Sequence, residues 1–279
     1  MLNPAYALTA AFIWAFSSIY YGDFLKKFDF LSLDLLRTST AAVVLGLPAF
    51  LFWGEAGLGY ASLGGVITLA CGDSLFLLSI REMGASITTP VVYTYVLMVQ
   101  VAGVALGQEI PYGNIVAAVM VVAGVYVLSR GGNGRPRAKG IAFALVAGVA
   151  WTIGNEFLQL ATSAGGNFVT VTFARNAAAA LALAIAFLVL RRDRRWPSGQ
   201  TARGYAFMLM FIVGDLVVGS SLFVYSISSI GVALTVILTG LSPLLTQVFA
   251  RALGKESPSS KDFLGGVLIV AGLVLAVVY

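Results

Sequence analysis

Long apolar stretches alternate with short polar connections along the whole of this sequence. A helix that crosses a hydrocarbon layer of about 30 Å needs roughly 20 apolar residues, and ten of the stretches have about that length. They stay apolar at odd and even positions, whereas the strands of a membrane barrel would alternate. We therefore predict an all-α membrane protein with ten spans, at residues 5–22, 31–53, 60–80, 84–106, 111–129, 140–161, 168–190, 204–225, 231–250 and 263–279.

The sequence also repeats itself. A shift of 147 residues aligns 105–111 with 252–258, and both segments read A-L-G-x-E-x-P. Further matches fall in register at shifts between 137 and 147: Gly84 with Gly231, Trp14 with Trp151, and Gly72-Asp73 with Gly214-Asp215. The repeat predicts two five-helix units, residues 1–130 and 140–279, joined by a polar linker at 131–139. Because five is odd, the second unit should enter the membrane from the opposite side, an inverted topology that recurs in secondary transporters.

These motifs resemble those of a known family. The A-L-G-x-E-x-P segment of each half, the glycine that opens the fourth span and the Gly-Val-Tyr-Val-Leu segment ending at Leu128 are similar to the EamA domain. Two such domains in ten helices resemble the drug/metabolite transporter superfamily, over essentially the whole chain. The resemblance implies a small-molecule permease without naming its cargo, and it implies that both termini are cytoplasmic.

The basic residues predict the opposite orientation. The chain has 17 Lys and Arg and a net charge of +5. Apart from Arg37 and Arg175, these residues all lie in odd-numbered connections between the spans, and basic residues near span ends are retained in the cytoplasm. We therefore expect a multi-pass cell membrane protein with odd loops in the cytoplasm and both termini outside. The basic residues are scattered and do not form one patch with aromatics, so no nucleic-acid partner is expected.

The sequence lacks the residues that several kinds of chemistry usually require. The sequence has no His and a single Cys, Cys71, so the common transition-metal ligand sets are absent. No glycine-rich phosphate loop is present, which argues against ATP as an energy source. We expect no metal and no cofactor, and we expect a proton gradient, exchange or facilitated diffusion to drive any transport.

Acidic residues inside the spans are candidates for function. An ionised side chain at the bilayer centre costs about 2.5–3.5 kcal/mol on insertion scales, and Asp73, Glu156 and Asp215 all lie within spans. The sequence predicts that Asp73 and Asp215 face the interior of the bundle, as a proton or cation site or as a counter-charge for an amine. The alternative is a neutral acid that is hydrogen-bonded to a neighbouring helix. Asp73 and Glu156 are the candidates for coupling to an ion or proton.

Polar residues at helical spacing mark further faces. Thr152, Asn155, Glu156 and Gln159 share one face of the sixth span beside Trp151, and lipid cannot satisfy such a face. The first span has a similar stripe that includes Trp14 and Ser18, and the fourth carries two tyrosines near Pro90. The predicted substrate-binding residues are Trp14, Ser18, Asp73, Tyr93, Tyr95, Trp151, Asn155, Glu156 and Asp215.

Two pairs of charged residues receive structural interpretations. Arg37 and Arg175 could bind a substrate anion, but the pattern favours snorkelling to the interface, with Asp34 one turn before Arg37. Glu109 and Glu256 stand beside prolines, which predicts that they cap the fifth and tenth spans.

The sequence favours a secondary transporter of small metabolites, such as amino acids or related amphipathic amines, that works by alternating access around a midplane cavity. An aromatic lining would suit such cargo, because aromatic rings attract both apolar groups and cations. A channel or non-transporting receptor is the alternative. An intramembrane enzyme is less favoured, because no His base or metal set is present.

Overall fold

The computed structural model describes residues 4–105, 116, 119–120, 123–124, 126–127, 137–190 and 201–278. Within these residues all regular secondary structure is helical, as the unbroken apolar runs predict. The helices, labelled in chain order and not one to one with the predicted spans, are α1 (Ala5–Phe24), α2 (Phe30–Leu51), α3 (Leu58–Met83), α4 (Ala85–Val92), α5 (Tyr95–Ala105), α6 (Ala138–Ser163), α7 (Phe168–Val189), α8 (Ala202–Thr239), α9 (Ser242–Ala252) and α10 (Ser260–Val278).

Five helices of the described part of the chain are long and apolar enough to cross a membrane, namely α2, α3, α6, α7 and α8. Most of the fifth predicted span, the Glu109 predicted to cap it and most of the linker lie outside the described residues. The described residues therefore support an all-helical architecture but do not establish the number ten.

The fourth and ninth predicted spans are interrupted. Each opens on a glycine in a backbone region that is essentially closed to other residues: φ and ψ are 82° and 161° at Gly84, and 79° and 162° at Gly231. Each is interrupted again nine or ten residues later, at 93–94 and at 240–241. Pro90 lacks the N–H that would bond to the carbonyl of Ser86, and the side-chain amide of Gln247 donates to that carbonyl instead, at 3.1 Å.

Local geometry recurs between the two halves of the chain. Helices α2 and α7 have 22 residues each and start 138 residues apart. Each start is capped by the residue before it: the Asp29 carboxylate accepts from the N–H of Leu31, and the Asn167 side chain accepts from the N–H of Val169. Helices α3 and α8 each contain one π-helical segment, Val66–Asp73 and Val213–Gly219, whose starts are 147 residues apart.

The packing of two tryptophans shows which residues of α3 and α8 correspond between the two halves. A Cβ on Gly72 would lie 2.5 Å from the ring of Trp151, and a Cβ on Gly219 would lie 2.8 Å from the ring of Trp14. The two glycines are 147 residues apart, so the register of 147 pairs Asp73 with Ser220 and Thr68 with Asp215. The pairing of Gly72-Asp73 with Gly214-Asp215 expected from the sequence is wrong, because no tryptophan packs over Gly214.

Glu256 caps a helix of the other half of the chain. Its carboxylate accepts from the N–H of Ala85 at 2.7 Å and from the N–H of Ser86 at 2.9 Å, so it caps α4 and not α10 as the sequence predicted. Helix α10 begins with a capping box instead, in which Ser259 and Asp262 exchange hydrogen bonds. The sequence S-S-K-D carries that signal.

Two ion pairs link residues in or beside the odd-numbered connections between the predicted spans. Lys255 pairs with Asp23 at 2.7 Å, and this hydrogen bond raises the pKa of Lys255 above its ordinary value despite slight burial. Arg137 pairs with Asp262 at 2.6 Å. The first pair joins the two halves of the chain, the second joins the linker to the second half, and all four residues lie in or beside odd-numbered connections.

Candidate functional site

A cavity of about 80 Å³ lies among the helices. That volume is room for a few water molecules and is well below the roughly 300 Å³ at the small end of ligand pockets. Eight of the nine predicted substrate-binding residues line it: Trp14, Ser18, Asp73, Tyr93, Tyr95, Trp151, Asn155 and Asp215. The structure thus brings these residues together, and their role in binding stays a prediction.

Glu156 is the predicted residue that does not reach the cavity. It is half-buried on α6, outside the lining. Successive residues of a helix point about 100° apart, and Asn155 occupies the direction that faces the cavity. The polar face of α6 is therefore divided: Asn155 meets the cavity, whereas Gln159 accepts a hydrogen bond from the backbone N–H of Val232 at 2.7 Å.

Arg37 is the centre of a cluster of charged groups at the cavity wall. Its Nη1 donates to Asp34 at 2.8 Å, and its Nη2 donates to Asp73 at 3.0 Å and to Asp215 at 2.9 Å. The side chain is 3% exposed. The expectation that Arg37 snorkels to the interface is therefore wrong, because three carboxylates stabilise the guanidinium inside the bundle.

Other side chains fix the three carboxylates. The Tyr21 hydroxyl donates to Asp215, the Ser74 hydroxyl donates to Asp34, and the Trp151 indole N–H donates to Asp73 at 3.0 Å. The ring of Tyr21 also lies 4.5 Å from the Arg37 guanidinium, within the range of a cation–π interaction. Carboxylates held by several donors are well ordered, so this wall of the cavity is preorganised.

Arg175 lies at the same cavity with few partners. It is 5% exposed, so it does not snorkel as the sequence suggested. Among the described residues its guanidinium has one hydrogen bond, from Nη2 to the hydroxyl of Thr68 at 3.2 Å, and its Nη1 has none. Its backbone packs directly against Gly65, where a Cβ would collide with it. The close approach of α3 and α7 therefore holds this arginine inside the bundle.

Aromatic rings form another wall. Tyr93, Tyr95 and Trp151 contact one another edge to face, with ring centroids 5.5–6.2 Å apart. Trp14 packs on Phe223 at 5.0 Å. The break at 93–94 allows Tyr93 and Tyr95, which lie on either side of it, to meet at one place. The cavity therefore combines an aromatic surface with charged groups, the surface chemistry that amphipathic molecules require.

Arg37 and Tyr21 line the cavity but were not among the predicted substrate-binding residues. The spacing of Asp34 and Arg37 indicated their ion pair, but nothing in one sequence showed that α3 and α8 bring Asp73 and Asp215 to the same guanidinium. Within the described residues no three potential ligands are arranged to hold a metal ion.

The long apolar helices and the polar cavity buried between them define an integral membrane protein. The sequence profile of the EamA-like transporter family matches residues 3–130 and, a second time, residues 138–278. The chain belongs to the EamA-like transporter family, and its two tandem matches are those of a drug/metabolite transporter with two EamA domains.

Solved structures share the fold. One, titled "Crystal structure of protein", superposes with a TM-score of 0.72 over 98% of this chain and 96% of its own, at 16% sequence identity. At that identity the likeness shows the fold alone. No curated protein matches the sequence.

Proposed function

We propose that the protein is a secondary transporter of small metabolites, namely amino acids or related amphipathic amines, that works by alternating access around the central cavity. The observation that carries the proposal is the cavity itself, with Arg37, Asp73 and Asp215 in contact at its wall. Charged groups inside a membrane bundle are costly and are typical of substrate or ion pathways. The family membership supports transport over catalysis, and we infer that the protein is not an enzyme.

The proposed architecture has ten transmembrane helices in two inverted halves. The recurrence of Gly84 at Gly231, and of the α3 π segment in α8, supports two structurally similar halves at residues 1–130 and 140–279. Two similar halves can exchange shapes, which exposes a central site first to one side and then to the other. The cavity is smaller than the pockets that usually hold small molecules, so loading requires the halves to move apart.

The charges at the site support coupling to a proton or to exchange. Three carboxylates and two guanidinium groups carry a net charge of −1 when all are ionised. A proton or a cationic group of the cargo would neutralise that charge. We propose Asp73 as the coupling residue, because it contacts both Arg37 and Trp151 at the cavity. A part for Glu156 in coupling remains a prediction, with no support from the lining of the cavity.

The test is transport by the purified protein in liposomes. We expect uptake or counterflow for members of a panel of labelled amino acids, amines and organic acids under a proton or substrate gradient. Asp73→Asn should lower the initial rate by about tenfold or more, since a hydrogen bond to a charged group is worth about 1.5–3 kcal/mol.

Asp23→Asn is the matched control, because Asp23 pairs with lysines at the surface and such pairs contribute little. Its rate should stay within about twofold of the unmodified protein. Absence of flux for the whole panel, in protein shown to be monodisperse and folded, would contradict the proposed function.

A further inference from the structure

The two buried arginines occupy corresponding places in the two halves. Arg37 on α2 and Arg175 on α7 are 138 residues apart, in helices that begin and end at the same register. Arg37 contacts Asp215 of α8, and Arg175 contacts Thr68 of α3. Thr68 and Asp215 themselves correspond in the register of 147. The same pair of positions is therefore in contact twice: α2 of the first half contacts α8 of the second half, and α7 of the second half contacts α3 of the first half.

The groups around the two arginines differ in one consistent way. Each carboxylate in contact with Arg37 has a hydroxyl residue at the corresponding position near Arg175: Asp34 corresponds to Thr172, Asp73 to Ser220 and Asp215 to Thr68. Arg37 therefore has an excess of negative charge around it. Arg175 has only neutral hydroxyl groups at the corresponding places.

The side chain of Arg175 has unused capacity to bind an anion. Nη1 is buried without a partner, and a buried charged donor without a hydrogen bond is unfavourable. Arg175, Thr68 and Ser220 all line the cavity. A guanidinium with an unpaired N–H beside the hydroxyl of Ser220 is an arrangement that binds a carboxylate. Thr68 holds that guanidinium in place, because its hydroxyl donates to the Gly64 carbonyl and accepts from Arg175.

We infer that Arg175 and Ser220 form a subsite for the carboxylate of the cargo, with Thr68 as the residue that positions the guanidinium. This inference rests on the proposed transport function and narrows its substrate class from amino acids or amines to zwitterions that carry a carboxylate. The ammonium group of the cargo faces Asp73 and Asp215 in the same cavity. A phosphate dianion is disfavoured, because the ionised site already has a net charge of −1.

The experiment compares three ligands that share one side chain. Leucine, its decarboxylated amine 3-methylbutylamine and its deaminated acid 4-methylpentanoate are compared with the corresponding set built on phenylalanine. Binding to the detergent-solubilised protein is followed by the fluorescence of the tryptophans, two of which line the cavity, and by the shift in melting temperature. We expect the amino acid of at least one set to bind at least tenfold more tightly than its amine.

Arg175→Gln should remove that preference, lowering amino acid affinity about tenfold or more while changing amine affinity by less than twofold. Arg175→Lys keeps the charge but not the planar guanidinium that can donate two hydrogen bonds to one carboxylate. It should give an intermediate loss of amino acid affinity. Thr68→Val should reduce the preference, whereas Thr68→Ser should retain it. Arg251→Gln, at an exposed position, is the matched control and should change neither affinity.

The outcomes separate the carboxylate subsite from the transport function. Amines that bind or compete as well as the amino acids, or an unchanged preference in folded Arg175→Gln, would overturn the carboxylate subsite and leave the transport function standing. The comparison of ligands on the unmodified protein requires no variant, so it remains decisive if Arg175→Gln fails to fold. Binding with the expected preference, but no flux in liposomes, would retain the subsite and contradict transport.

Discussion

A buried arginine depends on the groups that surround it. Arg37 is stabilised inside the bundle because Asp34, Asp73 and Asp215 all accept its hydrogen bonds. The dependence is mutual: without the guanidinium, three carboxylates would lie close together in a medium that screens charge poorly. Breaking a buried ion pair by removing one partner is strongly destabilising for this reason.

We therefore expect Arg37→Gln to lower the free energy of unfolding by about 3–5 kcal/mol. Titration with SDS, followed by tryptophan fluorescence, would measure the change. Arg251→Gln, on the exposed face of α9, should change it by less than about 0.5 kcal/mol. A loss below about 1 kcal/mol for Arg37→Gln would show that the cluster contributes little to stability.

At the residue scale the sequence predicted the composition of the cavity better than its contacts. The helical spacing of Trp14 and Ser18, and of Trp151 and Asn155, was enough to identify faces that lipid could not satisfy. Spacing says nothing about which helices meet, so the contacts of Arg37 with two distant aspartates could not be derived. Glu156 was misplaced because a broad polar face can be shared between a cavity and a neighbouring helix.

At the scale of the elements, Gly84 and Gly231 form a matched pair. Both have a backbone conformation that costs other residues about 1–3 kcal/mol. A Cβ on Gly84 would also lie 2.7 Å from the Glu256 carboxylate that caps α4, whereas a Cβ on Gly231 would have no neighbour nearer than 3.8 Å. The two glycines therefore differ only in what surrounds them.

Gly84→Ala should destabilise the protein more than Gly231→Ala does, by about 1 kcal/mol, which is the typical value of a lost helix cap. Melting temperatures of the two variants, measured side by side in one detergent, would test this order. In the Glu256→Ala background the difference between the two glycine variants should shrink. Equal losses in both backgrounds would mean that the cap is not disturbed.

The sequence located these interruptions only in part. The glycines at the start of the fourth and ninth spans were visible in the sequence, and so was Pro90. The second interruption, at 93–94, comes three residues after Pro90, where the packing of Tyr93 and Tyr95 against Trp151 decides the geometry. The partner of Glu256 was missed because local capping rules consider only the helix that follows, and α4 is distant in sequence.

At the scale of the whole molecule, labelling of introduced cysteines measures which side of the membrane each connection faces. With Cys71, which is exposed, replaced by Ser, single cysteines can be introduced at exposed positions on both sides. Lys27→Cys and Lys261→Cys lie in odd-numbered connections, and Glu55→Cys and Ala164→Cys lie in even-numbered ones.

The distribution of basic residues predicts that an impermeant thiol reagent added to intact cells labels only the cysteines at 55 and 164. Labelling at 27 and 261 alone would reverse the orientation and agree with the termini implied by the family resemblance. Labelling within one pair, or at all four sites, would contradict the proposed arrangement of the connections.

The unequal surroundings of Arg37 and Arg175 have an energetic consequence for a molecule built from two similar halves. If the halves exchange shapes, Arg37 takes the contacts that Arg175 has now. Its hydrogen bond to Asp215 is kept, because it corresponds to the bond of Arg175 to Thr68, and its hydrogen bond to Asp73 is lost, because Arg175 makes none to Ser220 among the described residues. The two end states then differ in energy, and a gap of about 2–3 kcal/mol leaves the minor one at roughly 1% of the population. The unloaded protein would therefore be open mostly to one side of the membrane. Binding of cargo and proton would set how often it opens to the other side.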